Sequence, residues 1–257
     1  MKFNIICYAD DIVVMAPSRA GLQLLINELS DLLCGISLKI NVEKSCYIVF
    51  NKKGKGAAEA CVKLQGVPLQ RRSEITYLGV VLTDALGIAK DVDRATNSFL
   101  KQFNSMYYKF NYADRNVLKH LFETFTSSFY GMENWSLKSC GRKLHRVSVA
   151  YHKAVKRLCN MNTWDSNHDA CKRVGLPIFK HLYAKRRSSY IFSLISSESP
   201  CIRPLHYYWR YHSFIVDDAE VFYRNEYGIS ELFSNPLCAI HSRIHFIQNT
   251  EPSTGIL

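Results

Sequence analysis

The spacing of apolar and polar positions changes character near residue 88. Before that point the chain contains short β-prone runs, which lie at 3–8, 12–15, 38–40, 46–50, 62–69 and 75–82. One helical stripe interrupts them, with Ser18 placed to cap it and Gly35 placed to end it. The first two runs flank Ala9-Asp10-Asp11, a spacing that predicts a tight hairpin. Residues 1–87 are therefore predicted to be β-rich.

Residues 88–200 follow a helical spacing instead. Apolar stripes predict one helix over 92–110, a second from Asp114 to Phe129, a third over 144–158 and another over 178–195. Ser166 and Asp169 form a capping-box pattern for a short helix that Gly175 closes. The last predicted helix carries outward-facing cations, namely Lys180, Lys185, Arg186 and Arg187. The pattern predicts an α+β chain with an all-α part over 88–200 and a region of uncertain structure over 201–257.

Positive charge is concentrated in the predicted helical part. Residues 1–87 hold 10 Lys/Arg and 8 Asp/Glu, residues 88–200 hold 19 and 8, and residues 201–257 hold 4 and 6. The net charge of +11 is thus carried by the middle segment. Such a surface favours a polyanionic partner there, although proteins of several other classes share it.

Cysteine spacing and apolar run lengths exclude several classes of function. The nine cysteines contain no C-x-x-C pair, and Cys159, His168 and Cys171 lack a fourth zinc ligand at standard spacing. Reduced, partly buried thiols are the favoured interpretation. Apolar runs are too short to span a membrane, and no secretory pattern opens the chain. We expect an intracellular protein, in the nucleus or cytoplasm, with no membrane partner.

Asp10 and Asp11 are the strongest chemical feature of the sequence. Adjacent carboxylates repel each other, so a pair held on a hairpin turn is stabilised by a hard divalent cation such as Mg²⁺. Two-metal nucleotidyl transfer uses carboxylates in this way. A solvated turn is the alternative, because aspartate favours turns without any metal.

The order of motifs downstream resembles that of reverse transcriptases. Tyr8-Ala9-Asp10-Asp11 looks like their catalytic motif, and Gly35 to Lys44 resembles their Gly-x-x-x-x-x-Asn-x-x-Lys segment. A Tyr77-Leu78-Gly79 hairpin follows at the matching place. Trp135, the basic helix over 142–158 and Gly175-Leu176-Pro177 are similar to the thumb of non-LTR, LINE/jockey-like retrotransposons. The resemblance covers roughly residues 3–195 and implies the C-terminal part of a polymerase palm, an antiparallel sheet with a helix, followed by a helical thumb.

The resemblance also implies residue roles. Asp10 and Asp11 would bind Mg²⁺, and Lys44 would assist protonation of the leaving pyrophosphate. Tyr8 would face the primer terminus, and Tyr77, Leu78 and Gly79 would form a primer grip. The implied partners are an RNA template and a DNA primer. A solvated Lys44 and an ordinary bulged hairpin at 77–79 are the alternatives.

A basic face is predicted on the third helix of the α-helical part. Its members are Arg142, Arg146, Lys153 and Arg157, spaced so that they lie off the apolar stripe. They are candidates for phosphate contacts, and a solvated helix face is the alternative. His145 and His152 are interpreted as helical surface residues. A second pair, Asp217-Asp218, is better explained as a helix cap than as a metal site.

Activity is not expected of this chain alone. A palm needs a further aspartate on an upstream strand, and fingers to bind dNTP, yet Met1 lies only seven residues before Tyr8. Without that strand, the hairpin face expected to hold Ile5, Cys7 and Val13 would lie uncovered. Three hypotheses follow: an inactive, N-terminally truncated fragment that binds nucleic acid, a working enzyme whose first half is encoded upstream, or a domesticated helical interaction module.

Overall fold

The structure is a computed structural model, and it describes residues 4–50, 61–135, 137–200 and 202. The chain divides into two compact units, Met1–Asp91 (unit 1) and Val92–Leu257 (unit 2). Both helices and short strands occur in the described residues, which is compatible with the predicted α+β class. The palm and thumb assignments of 1–87 and 88–200 stay predictions, and almost all of 201–257 lies outside the described residues.

Unit 1 combines one long helix with short strands. Its elements are β1 (Ile5–Tyr8), β2 (Asp11–Val14), α1 (Arg19–Gly35), β3 (Cys46–Tyr47), β4 (Lys63–Leu64), β5 (Val67–Pro68), β6 (Gln70–Arg71), β7 (Glu74–Tyr77) and β8 (Val80–Thr83). Within the described residues these strands form four separate two-stranded sheets, of which β3–β6 is parallel. No larger sheet joins these pairs within the described residues, so the single antiparallel sheet expected of a palm is not seen there.

The end of α1 differs from its sequence prediction. Ser18 caps the helix as predicted, accepting the Gly21 N–H at 3.2 Å. The left-handed residue after the helix is Ser37, with φ +60°, whereas Gly35 is still helical. The N–H groups of Ser37 and Leu38 donate to Cys34 and Leu33 carbonyls, which is the Schellman arrangement. Leu38 is thus part of a helix cap, and the strand predicted over 38–40 is absent.

A small apolar cluster joins α1 to the β4–β5 hairpin. Ile26, Val62 and Leu64 are buried, and partly buried neighbours pack against them: Leu22, Ile40, Val42, Tyr47 and Leu69. The Gln23 amide pairs with the Lys63 backbone, donating to its carbonyl at 2.7 Å and accepting its N–H at 2.8 Å. The Gln23 side chain therefore makes the two hydrogen bonds to the Lys63 backbone that a neighbouring strand would otherwise make.

Two of the β-prone runs form hairpins with two-residue turns, which was predicted for the Tyr77-Leu78-Gly79 run but not for the run over 62–69. The run over 62–69 folds back at Gln65 and Gly66, and the run over 75–82 folds back at Leu78 and Gly79. All four turn residues have positive φ. Consecutive left-handed residues match the right-handed twist of the flanking strands, and glycine occupies the second position without strain.

The register of β1–β2 corrects the predicted composition of its faces. Ile6 lies opposite Val13, and Cys7 lies opposite Ile12. Paired residues share a face and successive residues alternate, so Val13 lies on the other face from Ile5 and Cys7. Ile5 and Ile6 are 39% and 45% exposed, so β1 shows apolar surface on both faces.

Every secondary-structure element in the described part of unit 2 is a helix or a helical turn. Its elements are α2 (Ala89–Phe110, whose first residues belong to unit 1), α3 (Arg115–Leu121), a π-helical turn (Phe122–Thr126), a 3-10 helix (Met132–Asn134), α4 (Leu137–Leu158), α5 (Asn167–Val174) and α6 (Phe179–Ile195). The predicted caps of α5 are confirmed, because Ser166 accepts the Asp169 N–H and Gly175 is left-handed, with φ +74°. No helix in the described parts of the chain is both long enough and apolar enough to span a membrane.

An aromatic cluster forms the core of unit 2. The Phe99 ring is stacked on Phe129 with centroids 4.8 Å apart, and it meets Phe122 edge-on at 6.0 Å. Tyr151 of α4 packs against these rings and donates its hydroxyl to the Pro177 carbonyl at 2.7 Å. The Gly-Leu-Pro segment is therefore attached to α4 by a hydrogen bond from inside the core.

The second predicted helix ends earlier than its apolar stripe suggested. Asp114 caps α3 by accepting the Asn116 N–H at 2.8 Å, as predicted, but regular helix stops at Leu121. The Ser127 N–H then donates to the carbonyl of Phe122, five residues earlier. This wider turn shifts the angular spacing of side chains, so Phe125 is exposed although it fitted the apolar stripe.

Buried arginines support the irregular segment that follows the π-helical turn. Arg187 is only 4% exposed, and Arg186 is half-buried. Together with Arg94 they donate to backbone carbonyls of Ser127, Ser128, Tyr130, Glu133 and Trp135. The prediction that Arg186 and Arg187 lie on the outer side of α6 is wrong, because these carbonyls lack regular helical partners and need donors. Lys180 and Lys185 are exposed as predicted.

Candidate functional site

Tyr8 to Asp11 form the tight turn of the β1–β2 hairpin, as the sequence predicted. Ala9 and Asp10 are the two turn residues, and of these only Ala9 has positive φ, at +51°. Asp11 opens β2 directly opposite Tyr8, whose side chain is 64% exposed. Both aspartates are exposed, and neither carboxylate has an ion-pair or hydrogen-bond partner among the described residues. Their oxygens are thus available to a cation.

Lys44 lies at the end of a turn that Asn41 organises. The Asn41 side-chain oxygen accepts the Lys44 N–H at 3.1 Å, and its carbonyl accepts the Ser45 hydroxyl at 2.7 Å. Asparagine is favoured in turns because its side chain bonds to nearby backbone in this way. Lys44 is exposed, and no described hydrogen bond or ion pair joins it to Asp10 or Asp11. The spacing of Asn41 and Lys44 thus has a structural explanation in this chain.

Tyr77, Leu78 and Gly79 form the β7–β8 turn without a bulge. Tyr77 pairs with Val80 in unbroken register, so the predicted hairpin is present and has no bulge. Gly79 is exposed and has φ +76°, which makes the backbone there accessible. The Tyr77 hydroxyl oxygen is buried and has no hydrogen-bond partner within the described residues. No described hydrogen bond joins this turn to Asp10 or Asp11.

The basic residues predicted on α4 all lie on its exposed side. They are Arg142, Arg146, Lys153 and Arg157, and Val149 is the apolar member of the same exposed stripe. Two of the four have partners on α2. Arg146 lies 3.9 Å from the Asp93 carboxylate, and the Arg157 guanidinium carbon lies 4.4 Å from the centroid of the Tyr107 ring. Arg142 and Lys153 have no partner in the part of the chain that the structure describes.

Asp93 and Tyr107 are site residues that sequence reasoning missed. Asp93 also pairs with Lys143, so one carboxylate partly offsets the positive charge of Lys143 and Arg146 near the start of α4. Lys156 was missed as well. It is 6% exposed and donates to the Thr163 carbonyl at 2.8 Å, so its charge is used inside the fold. The only signal for Lys156 was its position between the apolar residues Val155 and Leu158.

The two histidines of α4 have different surroundings. His145 is exposed, in agreement with its surface interpretation. His152 is buried, and its Nε2 accepts the Phe179 N–H at 3.4 Å, so the surface interpretation is wrong for this residue. Burial lowers the pKa of His152, and the neighbouring positive charge of Lys156 lowers it further. His152 is thus a core residue that stays neutral at physiological pH.

The candidate zinc ligands do not converge. Cys159 and Cys171 are buried free thiols, whereas His168 is exposed beside Asp169. Burial raises the pKa of Cys171 to about 11, which keeps the thiol protonated. The pair Asp217-Asp218 lies outside the described residues.

Comparison with known proteins gives one match. A family model, Reverse transcriptase (RNA-dependent DNA polymerase), matches residues 1–82. No curated protein matches the chain, and no solved structure matches it. The matched stretch contains Tyr8, Asp10, Asp11, Lys44 and the turn at 77–79, and it supports a reverse transcriptase relationship for this part of the chain. The basic surface of α4 lies beyond the match.

The Asp10–Asp11 turn fits Mg²⁺ in donor chemistry but not in donor number. Exposed carboxylate oxygens without competing cations are suitable ligands for a hard divalent ion. However, the described residues contain no group of three or more His, Cys, Asp or Glu side chains that could hold a metal. The turn thus offers part of a coordination shell.

Proposed function

We propose that this chain contributes the metal-binding turn and a nucleic-acid-binding helical unit to a non-LTR retrotransposon reverse transcriptase. The family match over residues 1–82, with Asp10 and Asp11 exposed and unpaired inside it, is the observation that carries the proposal. The order of the downstream motifs supports the non-LTR subtype. Trp135 and Pro177 of that motif series both accept hydrogen bonds from tyrosine hydroxyls in unit 2. The protein acts in the nucleus or cytoplasm.

In this proposal Asp10 and Asp11 hold Mg²⁺, which supplies charge neutralisation at the phosphates during nucleotidyl transfer. The hairpin keeps the two carboxylates at the end of a paired ladder, so their backbone positions are fixed before any ion binds. Tyr8 presents its exposed ring on the same face as Asp11, towards the primer terminus. Lys44 serves as a proton donor to pyrophosphate, and the accessible backbone at Gly79 lets the primer approach closely.

The chain does not polymerise by itself in this proposal. Two carboxylates do not complete a two-metal site, and a further aspartate and a dNTP-binding surface are required. The test is primer extension on an RNA template with the purified chain, Mg²⁺ and dNTPs. We expect no extension above that of Asp10→Asn. Robust extension by the wild-type chain, abolished in Asp10→Asn, would show that the proposal of inactivity is wrong.

Nucleic-acid binding is proposed for unit 2, with an RNA–DNA hybrid as partner. Four exposed cations on one helix face support it, and three of them, Arg142, Lys153 and Arg157, have no carboxylate partner among the described residues. Phosphate neutralisation by such cations carries affinity without base contacts. Fluorescence anisotropy of a labelled hybrid across a salt series is the test. Neutralising three phosphates predicts a slope of roughly −2 to −3 in log affinity against log salt.

A domesticated helical interaction module is the second candidate function. The exposed aromatic side chains of unit 2, Tyr108, Tyr112, Phe125 and Trp164, favour it as protein-binding residues. A salt slope near zero in the same titration would support this candidate and exclude phosphate binding.

A further inference from the structure

The guanidinium of Arg157 rests on a platform that is itself fixed in the core. Its carbon lies 4.4 Å from the centroid of the half-buried Tyr107 ring. The Tyr107 ring is stacked on Phe103, with centroids 5.7 Å apart and planes 28° from parallel. Phe103 in turn stacks on Phe99 and meets Phe122 edge-on. The ring beneath Arg157 therefore has little freedom to move.

Stacking leaves the hydrogen-bonding edge of a guanidinium free. The five N–H donors of arginine lie in the guanidinium plane, so a ring against one face holds the group without using its donors. Arg157 is exposed and has no carboxylate partner in the described residues. It is thus positioned on one side and open to an anion on its edge.

The opposite end of the same α4 surface is arranged differently. Arg146 is within 3.9 Å of Asp93, which also pairs with Lys143. Asp93, near the start of α2, thus contacts Lys143 and Arg146 near the start of α4. Tyr107, near the end of α2, contacts Arg157 near the end of α4. The two helices therefore run side by side in the same direction. Near the start of α4 the single carboxylate of Asp93 is shared by Lys143 and Arg146, whereas no described carboxylate pairs with Lys153 or Arg157 near its end.

We propose that Arg157, held by Tyr107, forms the principal backbone-phosphate site of unit 2, with Lys153 one helical turn before it. This inference rests on the proposed nucleic-acid binding, and it assigns a position within the surface. Tyr107 is a positioning residue, because it acts on the phosphate through Arg157. Lys153 has no described partner and adds a second positive charge on the same exposed stripe. Asp93 opposes binding at the other end by competing for Arg146.

A double-mutant cycle on the purified full chain tests the role of Tyr107. Kd for a labelled RNA–DNA hybrid is measured for wild type, Tyr107→Leu, Arg157→Gln and the double variant. Loss of the platform is expected to weaken binding about two- to fivefold, although the net charge is unchanged. In the Arg157→Gln background the same Tyr107→Leu change is expected to have no effect. A merely structural role for Tyr107 predicts equal effects in both backgrounds and would overturn the proposal.

Further variants test whether binding depends on where a cation lies on α4 or only on the total charge. Arg157→Gln should make the salt slope shallower by about 0.7 to 0.9, as expected for one lost phosphate contact. Arg146→Gln should change it less, and Asp93→Asn should strengthen binding by freeing Arg146. Tyr107→Phe keeps the ring and is expected to bind like wild type, which controls for folding. Equal slopes for Arg157→Gln and Arg146→Gln would contradict the assigned position.

The outcomes distinguish this inference from the proposed function. If the wild-type chain shows no salt-dependent binding to the hybrid, the proposed nucleic-acid binding itself fails. If the wild type binds with a steep slope but Tyr107→Leu behaves like wild type, only the Tyr107–Arg157 site is wrong. Arg157-dependent binding to vesicles containing phosphatidylserine, without binding to the hybrid, would assign the anion to a membrane and overturn both.

Discussion

Unit 1 and unit 2 differ in where their apolar side chains lie. Among the described residues, unit 1 buries three apolar side chains, Ile26, Val62 and Leu64, whereas unit 2 buries twenty-four. Because apolar burial is the main driving force of folding, it stabilises unit 2 far more than unit 1. The candidate metal ligands Asp10 and Asp11 lie in unit 1, which has the smaller core. They belong to a hairpin whose first strand, β1, has exposed apolar side chains. Unit 2 is a stable support for its helical surface, and unit 1 presents a turn with little support of its own.

The sharpest test of this difference compares one core substitution in each unit. Phe99→Ala in unit 2 removes a fully buried ring from the aromatic cluster and is expected to destabilise by about 3–5 kcal/mol. Ile26→Ala in unit 1 removes a smaller side chain from a shallow cluster, so we expect about 2 kcal/mol or less. Urea unfolding followed by circular dichroism measures both. Equal losses of unfolding free energy would contradict the comparison, and Phe99→Leu serves as the conservative control.

The buried arginines of unit 2 give the next largest expected effect. Arg187→Leu removes donors from the Glu133 and Trp135 carbonyls and is expected to destabilise by about 2–3 kcal/mol, as for hydrogen bonds to a charged group. Lys185→Leu lies two residues earlier on α6, is exposed, and should change stability by less than about 0.5 kcal/mol. Thermal unfolding of both variants measures the difference. A neutral Arg187→Leu would show that these carbonyls do not need that donor.

Arg187 also shows why sequence patterns predicted the ends of the helices better than they predicted which charged side chains face solvent. The caps at Ser18, Asp114 and Ser166 depend on neighbours within three residues, so local spacing was sufficient to find them. Arg187 bonds to carbonyls more than fifty positions away, and its helical spacing gives no sign of them. The charge total over 88–200 thus counted cations that serve the fold along with those that face solvent.

The same limit applies to the candidate site. The turn of Asp10 and Asp11 was predictable because hairpin and carboxylates are adjacent in sequence. The pairing of Val13 with Ile6 was not, since a register that is shifted by one residue exchanges the two faces of a strand. Asp93 and Tyr107 were missed for a third reason: each acts on α4 from another helix, and only the packing of α2 beside α4 brings them there.

The exposed hairpin predicts self-association of the purified chain. Ile6 is 45% exposed on a two-stranded sheet, and an apolar strand with an unpaired edge favours pairing with another copy. Ile6→Lys should reduce association in sedimentation velocity without lowering the helical signal. Leu86→Lys, at an exposed apolar position outside the hairpin, is the matched control. A wild-type chain with a sharp, concentration-independent thermal transition would count against this prediction.

His152 provides a smaller, pH-dependent test of the core of unit 2. Burial lowers its pKa below the ordinary value of 6.5, so the unfolded chain binds a proton more readily than the folded chain. The contribution of neutral His152 to the free energy of unfolding is fully present above pH 6.5. It is lost as the pH falls through the pKa of His152 in the folded chain. The positive charge of Lys156 acts in the same direction as burial, and a hydrogen bond with the backbone of Ser148 acts against it. Thermal unfolding between about pH 8 and pH 5 should therefore show falling stability, and His152→Gln should flatten that part of the profile.

The last prediction concerns the order in which the cysteines are alkylated. It has the smallest expected effect, because mild labelling does not change the stability of the chain. Cys171 is buried with its pKa raised to about 11, whereas Cys7, Cys34 and Cys61 of unit 1 are exposed. Alkylation requires the thiolate, so iodoacetamide at neutral pH should modify the three exposed cysteines well before Cys171. Peptide mass spectrometry of a time course resolves the order. Cys171 should stay unmodified until urea unfolds unit 2. Early labelling of Cys171 in the folded chain would mean that the core around α5 opens readily, and the contrast between the two units would then be weaker than their apolar burial indicates.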